Sequence, residues 1–453
     1  MPTAQKQVAI RHELLDRLAD ARFRTDELFD IVRPDFLYER PIPERHRIIF
    51  YLGHLEAFDW NLLRDRLLSA NPINPQFDRL FAFGIDPVGG GLPTDQPADW
   101  PSLAEVRNYV AHVRQILDRA LENADLFSAS ASANSSADSL ASHEFSASVL
   151  LNVAIEHRLM HAETLTYMLH QLPLNQKVEK PRMPKMPIPF GIPEMIKIPA
   201  GIATLGLPRK DQTFGWDNEF EAHAVSVPAF AIDKYKVTNA QYLEFIKQGG
   251  YENRELWQDA DWNWKNRHSI SHPIFWNLQD GHWHYRTMFE EVPLPLEWPV
   301  YVSHAEASAY ARWTGKSLPT EAQWHRAAYG TSEGAERAYP WGSEPPSAKL
   351  GNLDFHSWDP APVAAFPEGE SAFGVAGLLG NGWEWTSTIF APFAGFQPFP
   401  FYLGYSADFF DGKHYVMKGG SARTAACMLR RSFRNWFQSH YQYVYSGFRC
   451  VIN

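Results

Sequence analysis

Three histidines of this sequence could together bind one metal ion. His157 and His161 are four residues apart in the segment IEHRLMHAETLTYML, so on a helix they lie on one face. The earlier helical segment RHRIIFYLGHLEAFDWNLL places His54 between Phe50 and Phe58, four residues from each. Three neutral imidazoles leave coordination positions open, which suits a catalytic Fe(II) or Zn(II) ion. The spacing alone leaves a second interpretation open, in which these are ordinary core or surface histidines.

The histidine pair is expected to face the interior of its domain. On the same helical wheel Ala154, Leu165 and Met168 flank the pair, whereas Glu156 and Glu163 are expected to point elsewhere. A buried polar pair without a partner is costly, which favours a shared ligand between the imidazoles.

The elements that must position these histidines are helices. From residue 8 to about 171, apolar residues recur at spacings of three and four, which predicts four main helices and a four-helix bundle over residues 1–171. A Pro/Gly-rich segment from Asn71 to Pro101 and a Ser/Ala tract from Ser128 to Ser148 are expected to be loops between them.

The rest of the chain has a different texture. Residues 172–197 are studded with prolines and predict an extended linker. Residues 198–453 combine short strands, many aromatic residues and a few short helices, notably TNAQYLEFIKQG and SHAEASAYARWTG. We therefore expect a multidomain α+β protein whose second domain is irregular and loop-rich.

Composition narrows the classes of partner. The 453 residues carry a net charge of -10 without a dense Lys/Arg run, which makes nucleic-acid and anionic-membrane partners unfavourable and leaves small molecules. No run of roughly 18 apolar residues and no signal-peptide pattern occurs, so we expect a cytoplasmic protein. Cys427 and Cys450 are the only cysteines. They exclude a Cys-based metal site and are expected to be small buried hydrophobic residues. The oligomeric state is left open.

The second domain resembles the formylglycine-generating-enzyme family. The peptides IPAGIATLG, FAIDKYKVTNAQYLEFI, PVYVSHAEASAYARWTGKSLPTEAQWHRAA, YPWG, GLLGNGWEWTST, VMKGGSARTAACMLRRSFRNWF and SGFRCV follow in that family's order from Ile198 to Val451. The resemblance implies an irregular, C-type-lectin-like fold. Related domains can hold a structural Ca2+ where GNGWEW stands, at Gly380 to Trp385, although a plain turn packed by two tryptophans fits the segment as well.

The whole chain resembles the ergothioneine-biosynthesis sulfoxide synthases and their selenoneine-synthase relatives, in which a DinB-like bundle precedes this domain. The motif that carries this resemblance is a histidine followed much later by HxxxHxE, together with WDNE at residues 216–219. The resemblance implies that His54, His157 and His161 are the ligands of a mononuclear non-heme Fe(II). It also implies oxidation chemistry that depends on O2.

The same resemblance implies the substrate-handling residues. Tyr402 and Tyr405, spaced as YxxY, match a tyrosine that delivers a proton and a second one near the betaine substrate. Asn435 and Trp436 match residues that bind hercynine, the Nα-trimethylated histidine. A trimethylammonium group has no N–H to donate, so aromatic faces suit it. From the residues alone, the two tyrosines could equally be a packed pair.

The sulfur or selenium donor is predicted from departures from the family pattern. No Arg or Lys lies between Phe81 and Trp100, and Phe437 follows Trp436 where an acid is found in relatives that use γ-glutamylcysteine. Uncompensated carboxylates are expensive to bury, so we expect an uncharged selenosugar covered by Phe81, Phe83 and Phe437.

The expected function is therefore O2-dependent carbon–selenium bond formation on hercynine, as in selenoneine biosynthesis. One alternative is an ergothioneine sulfoxide synthase that uses cysteine or γ-glutamylcysteine. An alternative of another class is a non-catalytic ligand-binding module, which metal content would distinguish.

Overall fold

The computed structural model describes residues 4–83, 92–123, 146–178, 191–211 and 213–453. The chain divides into two compact units, Met1–Lys180 and Pro181–Asn453. Residues 179–190 of the predicted linker lie outside the described residues. Its first residues form a short 3-10 turn at Leu174–Gln176, and its last three already belong to a strand that begins at Met195.

The first unit is helical. Four long helices confirm the predicted bundle elements, and a shorter one adds to them: α1 Ala4–Asp30, α2 Ile48–Leu63, α3 Pro75–Phe83, α4 Leu103–Asn123 and α5 Ala147–His170. Helix α5 packs against α1 and α2, and α2 also packs against α3 and α4. The two helices that carry the three histidines are therefore direct neighbours.

Helix α3 corrects the predicted loop between Asn71 and Pro101. The side chain of Asn74 accepts hydrogen bonds from the backbone N–H groups of Gln76 and Phe77, at 3.1 and 3.2 Å. With Pro75 at the first helical position, this is an ordinary helix start that the Pro-rich composition concealed. Residues 84–91 of the predicted loop lie outside the described residues.

Helix α5 is buried on almost every side. Glu156 and Glu163, which were predicted to point away from the histidine pair, are both buried as well. They are buried because α5 is enclosed by its neighbours rather than lying at the surface. Its first turn is capped by Ser146, whose side chain accepts from the N–H of Val149. The predicted Ser/Ala loop thus ends in a helix cap, while residues 124–145 lie outside the described residues.

The second unit is α+β, as predicted. Its strands are short: β1 Met195–Ile198, β2 Gly201–Leu205, β3 His223–Val227, β4 Phe230–Asp233, β5 Trp276–Gln279, β6 His282–Arg286, β7 Glu291–Pro293, β8 Trp383–Ile389, β9 His414–Lys418, β10 Asn435–Gln438, β11 Ser446–Gly447 and β12 Val451–Ile452. The largest sheet has the order β10-β9-β8-β11, and smaller sheets have the orders β1-β4-β12, β2-β3 and β5-β6-β7. Long loops connect them.

The short helices of this unit start at reciprocal side-chain caps. The two predicted helices are confirmed as α6 Asn239–Lys247 and α8 His304–Trp313, and each begins with a capping box. Two further helices, α7 Asp259–Arg267 and α9 Glu321–Tyr329, were not predicted. The pair Thr320 and Gln323 forms a capping box for α9 and would have been a usable sequence signal.

The GNGWEW segment leads from a turn into strand β8. Trp383 and Trp385 are buried, and Asn381, with a φ of 57°, donates its amide hydrogen to the carbonyl of Ala361 at 2.8 Å. The Asn381 side chain is thus bonded to the protein, and calcium at this turn stays a prediction. Of the two cysteines, Cys450 is buried as expected, whereas Cys427 is exposed, so its predicted burial was wrong.

A buried charge cluster holds the centre of this domain together. Glu384 on β8 accepts from Arg449 at 2.6 and 2.8 Å and from the indole of Trp324 at 3.0 Å. Lys236 lies 3.2 Å from the same carboxylate. Burial by itself would raise the pKa of Glu384, but the two cations bring that pKa below its usual value. No helix within the described part of the chain combines the length and apolarity needed to cross a bilayer.

We predict that Glu384→Gln lowers the free energy of unfolding of this domain by about 3 kcal/mol or more, because it leaves two buried cations without a compensating charge. Urea unfolding followed by tryptophan fluorescence measures the change. Lys349→Ala, which removes an exposed pair with Glu344, is the matched control and should change stability by less than about 1 kcal/mol. Equal midpoints for Glu384→Gln and the parent protein would contradict the prediction.

Candidate functional site

The structure brings the three predicted metal ligands together. One ligand atom from each of His54, His157 and His161 lies within 4.8 Å of the other two. The Nε2 atoms of His54 and His161 are 3.3 Å apart, and the ring centroids of His157 and His161 are 4.5 Å apart. The four-residue spacing on α5 and the single histidine on α2 therefore converge on one point.

The orientation of each ring is fixed by its surroundings. The Nδ1 atom of His54 lies 2.7 Å from the carbonyl oxygen of Phe81, to which it can donate. That bond selects the tautomer whose Nε2 lone pair points at the other histidines. Phe50 stacks on His54 with a centroid distance of 4.7 Å, and Phe58 stacks on His157 at 3.4 Å. Phe50 and Phe58, the apolar neighbours predicted around His54, thus enclose the histidine cluster on two sides.

Burial keeps the imidazoles neutral. It lowers the pKa of His54 to about 4, although the carbonyl of Phe81 opposes the shift. Burial is also the main cause that holds the pKa values of His157 and His161 well below the usual range, with neighbouring histidines adding to it. Neutral imidazoles have a lone pair to give to a metal.

The donor set fits a transition-metal ion. Two nitrogens bound to one ion at metal–nitrogen distances of roughly 2.1 Å are separated by about 3 Å, close to the spacing of the two Nε2 atoms here. Imidazole suits iron, zinc and copper, and a three-histidine set leaves positions open for other molecules. Within the described ranges, no other group of three His, Cys, Asp or Glu side chains converges in this way.

A buried charge network fixes the two helices against each other. Arg158, next to His157, is fully buried and donates to Glu56 at 3.0 Å and to Asp59 at 2.6 Å. It also donates to the carbonyl of Leu55, one residue after His54. This network was not predicted from the sequence. Its available signal was an arginine beside one candidate ligand and two carboxylates three residues apart on the helix that carries another.

The loop residues predicted to cover a sugar are placed differently. Phe81 is fully buried, and its ring stacks near Trp100 and Tyr109. A Cβ added to Gly53 would lie 2.5 Å from that ring, so the glycine permits a very close approach. The Phe81 ring is thus enclosed, and the residue contributes its carbonyl to the site; its role in covering a sugar stays a prediction. Phe83, by contrast, is 72% exposed.

In the second domain, part of the predicted substrate set forms an aromatic cluster. Tyr402 and Tyr405 have ring centroids 5.5 Å apart, and Tyr405 meets Trp436 edge-on at 5.5 Å. Trp216 stacks on Tyr405 at 4.0 Å and meets Tyr402 at 6.4 Å. Phe390 stacks on Trp436 at 4.2 Å. The structure thus brings together both predicted tyrosines and the predicted tryptophan.

Asn435 and Phe437 lie on the opposite face of β10. Side chains alternate along a strand, so these two residues point away from the face that carries Trp436. Phe437 stacks on Tyr441 at 4.7 Å, and the Asn435 side chain accepts from the N–H of Trp436 at 2.8 Å. The predicted substrate residues of this strand are therefore divided between its two faces.

The WDNE turn supplies charged groups to the aromatic cluster. Asp217 accepts a hydrogen bond from the hydroxyl of Ser406 at 2.6 Å, and both side chains are buried. Glu219 accepts from Arg430 at 2.8 Å and from Ser432 at 2.6 Å. The WDNE motif was recognised in the sequence, but no role was predicted for Asp217. The neighbours of this residue come from distant parts of the chain.

The helical domain with its three histidines and the α+β domain with its aromatic cluster together define the class of protein. Residues 17–165 match the DinB superfamily, and residues 181–453 match the family described as sulfatase-modifying factor enzyme 1-like domain. The predicted combination of domains is confirmed.

Curated relatives specify the family further. The chain is 34% identical to a hercynine oxygenase of Mycolicibacterium thermoresistibile over 98% of this chain and 95% of that protein. It is 35% identical to a hercynine oxygenase of Mycolicibacterium smegmatis over 97% and 98%. It is also 28% identical to ergothioneine biosynthesis protein 1 of Neurospora crassa, over 92% of this chain and 55% of that protein. The chain belongs to the hercynine oxygenase family.

We predict one bound transition-metal ion per chain, lost in His157→Ala because two imidazoles in a buried site cannot replace the third nitrogen. Elemental analysis of the purified proteins measures the content. His112→Ala, which removes an exposed histidine of α4, is the control and should retain the metal. Full occupancy in His157→Ala would exclude this residue as a ligand.

Proposed function

We propose that this protein is an Fe(II)- and O2-dependent oxidoreductase that joins a sulfur or selenium donor to C2 of the hercynine imidazole. The observation that carries the proposal is the similarity to two hercynine oxygenases over nearly their full length, with the three histidines converging in the same chain. The activity for which these relatives are named indicates hercynine as the substrate, and the histidine cluster offers a place for a metal.

Iron is the metal that we assign to His54, His157 and His161. The set contains neutral nitrogen ligands alone, which Fe(II) accepts, and it is buried among aromatic rings that exclude water. When bound, Fe(II) supplies the one-electron chemistry that allows O2 to react with a paired-electron substrate. The contribution of the protein is to hold the three rings in a fixed orientation.

The aromatic cluster of the second domain is assigned to hercynine. Tyr405 and Trp436 offer ring faces and edges that suit a trimethylammonium group, which cannot donate a hydrogen bond. Tyr402 carries the proton to be delivered, since burial and the nearby Asp217 raise the pKa of its phenol to about 12 and keep the hydroxyl protonated. Asn435, on the other face of β10, completes the proposed set through its amide.

The donor that we propose is an uncharged selenosugar. The segment between Phe81 and Trp100 contains no Arg or Lys. Two nearby arginines are already engaged, because Arg40 and Arg47 both form ion pairs with the buried carboxylate of Asp95. A donor with two carboxylates would therefore find few free cations among the described residues of this region. Phe83 and Phe437, together with the buried ring of Phe81, are the aromatic residues proposed for the sugar.

A sulfur donor is the second candidate. The relatives named for ergothioneine biosynthesis favour it, since their names indicate a sulfur-containing product. Cysteine and γ-glutamylcysteine are the two forms to compare. The product would then be a sulfoxide of a hercynine–cysteine conjugate.

We predict that Tyr402→Phe lowers bond formation on the order of 100-fold, with little change in hercynine affinity, because the ring remains and the proton is lost. Product analysis measures the rate of bond formation. Parallel measurement of O2 consumption shows what fraction of the O2 is used for that reaction. Tyr339→Phe, which changes a tyrosine stacked on Trp341 outside the cluster, is the control. An unchanged rate and product ratio in Tyr402→Phe would remove this residue from the reaction.

We predict that a 1-seleno-sugar outcompetes γ-glutamylcysteine and cysteine at equal concentrations with hercynine and O2. The expected reason is that the segment from Phe81 to Trp100 contains no Arg or Lys that could compensate the carboxylates of the donor, whereas selenium is readily oxidised. Mass spectrometry of the mixed products measures the preference. Faster product formation from γ-glutamylcysteine would contradict this prediction and favour an ergothioneine sulfoxide synthase.

A further inference from the structure

The turn that carries Tyr402 is fastened to the WDNE turn by two contacts. The hydroxyl of Ser406 donates to Oδ1 of Asp217 at 2.6 Å, in a fully buried position. Tyr405 stacks on Trp216 at 4.0 Å. Within the turn itself, the N–H of Tyr405 donates to the carbonyl of Tyr402 at 3.1 Å. The position of Tyr402 therefore depends on a residue nearly 190 positions earlier in the chain.

The carboxylate of Asp217 is not neutralised by a cation. Its Oδ2 atom is buried, and no salt bridge to Asp217 is found among the described residues. The hydrogen bonds to this carboxylate come from neutral groups, the hydroxyl of Ser406 and nearby backbone N–H groups. Glu219, two residues further on, shows the contrast, since it is paired with Arg430 and bonded by Ser432. A buried carboxylate without a cation is costly, so its retention at this position calls for a role in the site.

The charge of Asp217 acts on the phenol. Burial raises the pKa of Asp217 to about 6, opposed by the hydroxyl of Ser406 and by backbone N–H groups. Above that pH the group is ionised. Burial is the larger cause of the raised pKa of Tyr402, and the negative charge of Asp217 adds to it, because a phenolate beside a carboxylate is disfavoured.

The other charges around this turn are compensated or exposed. Arg430 is paired with Glu219. Arg434, which donates to the carbonyl of Asn218, is paired with Glu321 at 3.0 Å. Asp408 is exposed to solvent, which screens it. Asp217 is thus the charge whose removal should be felt most strongly at the phenol.

We propose that Asp217 is the positioning residue of Tyr402: it anchors the turn through Ser406, and its negative charge adds to burial in disfavouring the phenolate. The functional consequence rests on the proposed function, in which Tyr402 delivers a proton. The electrostatic part stands by itself and can be measured without iron, hercynine or turnover.

Two single substitutions separate the anchor from the charge. Asp217→Asn removes the charge and keeps an oxygen that can accept from Ser406. Ser406→Ala removes the hydrogen bond and keeps the carboxylate. The reporter is 3-fluorotyrosine incorporated at position 402 of the full chain, because its phenol titrates at lower pH than tyrosine and is followed by 19F NMR.

We predict that the apparent pKa of this fluorophenol falls by on the order of one unit in Asp217→Asn and by clearly less in Ser406→Ala, since in the second variant the carboxylate is still ionised throughout the alkaline titration. A shift of equal size in both variants would overturn the charge assignment in favour of turn geometry. No shift in Asp217→Asn would overturn it altogether.

A second measurement covers the case in which Asp217→Asn does not fold. In the otherwise unchanged fluorinated protein, the 19F resonance should show a separate inflection near pH 6, where Asp217 takes up its proton. Absence of that inflection overturns the proposal. Failure of the proposed function would look different, because Tyr402→Phe would then retain full activity while the fluorine titrations still showed the dependence on Asp217.

Discussion

A guanidinium removed from water must be matched by negative charge, and Arg158 meets that constraint in the helical domain. Its partners Glu56 and Asp59 lie on α2, whereas Arg158 lies on α5 beside His157. Removing one buried partner leaves the other uncompensated, so the helices are held at one relative position. The convergence of His54 with the pair on α5 depends on that position. The charge network is therefore as much a part of the candidate metal site as the aromatic rings of Phe50 and Phe58.

The same principle organises the second domain, which has little regular structure to rely on. Its strands are short, and much of its chain runs in loops. Glu384, Glu219 and Glu321 each bind an arginine from the last part of the chain. Charge-assisted hydrogen bonds between distant loops determine the geometry of this domain, as backbone hydrogen bonds in sheets and helices do in more regular domains. Asp217 differs from these residues because it is buried without a paired arginine. It lies next to Tyr402, the residue proposed to deliver a proton.

The sequence predicted what depends on local spacing and failed where distant residues meet. Helical periodicity was sufficient to place His157 and His161 on one face, and the apolar spacing around His54 placed it inward. The burial of Glu156 could not be derived in this way, because a helical wheel shows a direction and not the neighbour that occupies it. The split of Asn435 and Phe437 from Trp436 follows from strand alternation, which the motif match ignored. The pairing of Asp217 with Ser406 joins segments that no local pattern connects.

Gly53 shows how a residue without a side chain can control the geometry of the candidate metal site. The absence of a side chain lets the Phe81 ring lie against α2, and this contact holds the Phe81 carbonyl 2.7 Å from His54. A methyl group at position 53 would displace the ring and carry the carbonyl away with it. His54 would then lose the acceptor that selects its tautomer, although every ligand would still be present in the chain. Substitutions at position 53 would therefore change how strongly the three histidines can hold a metal without altering any of the three side chains. They would act through the Phe81 carbonyl, which contacts Nδ1 of His54, the ring nitrogen opposite the metal-facing Nε2.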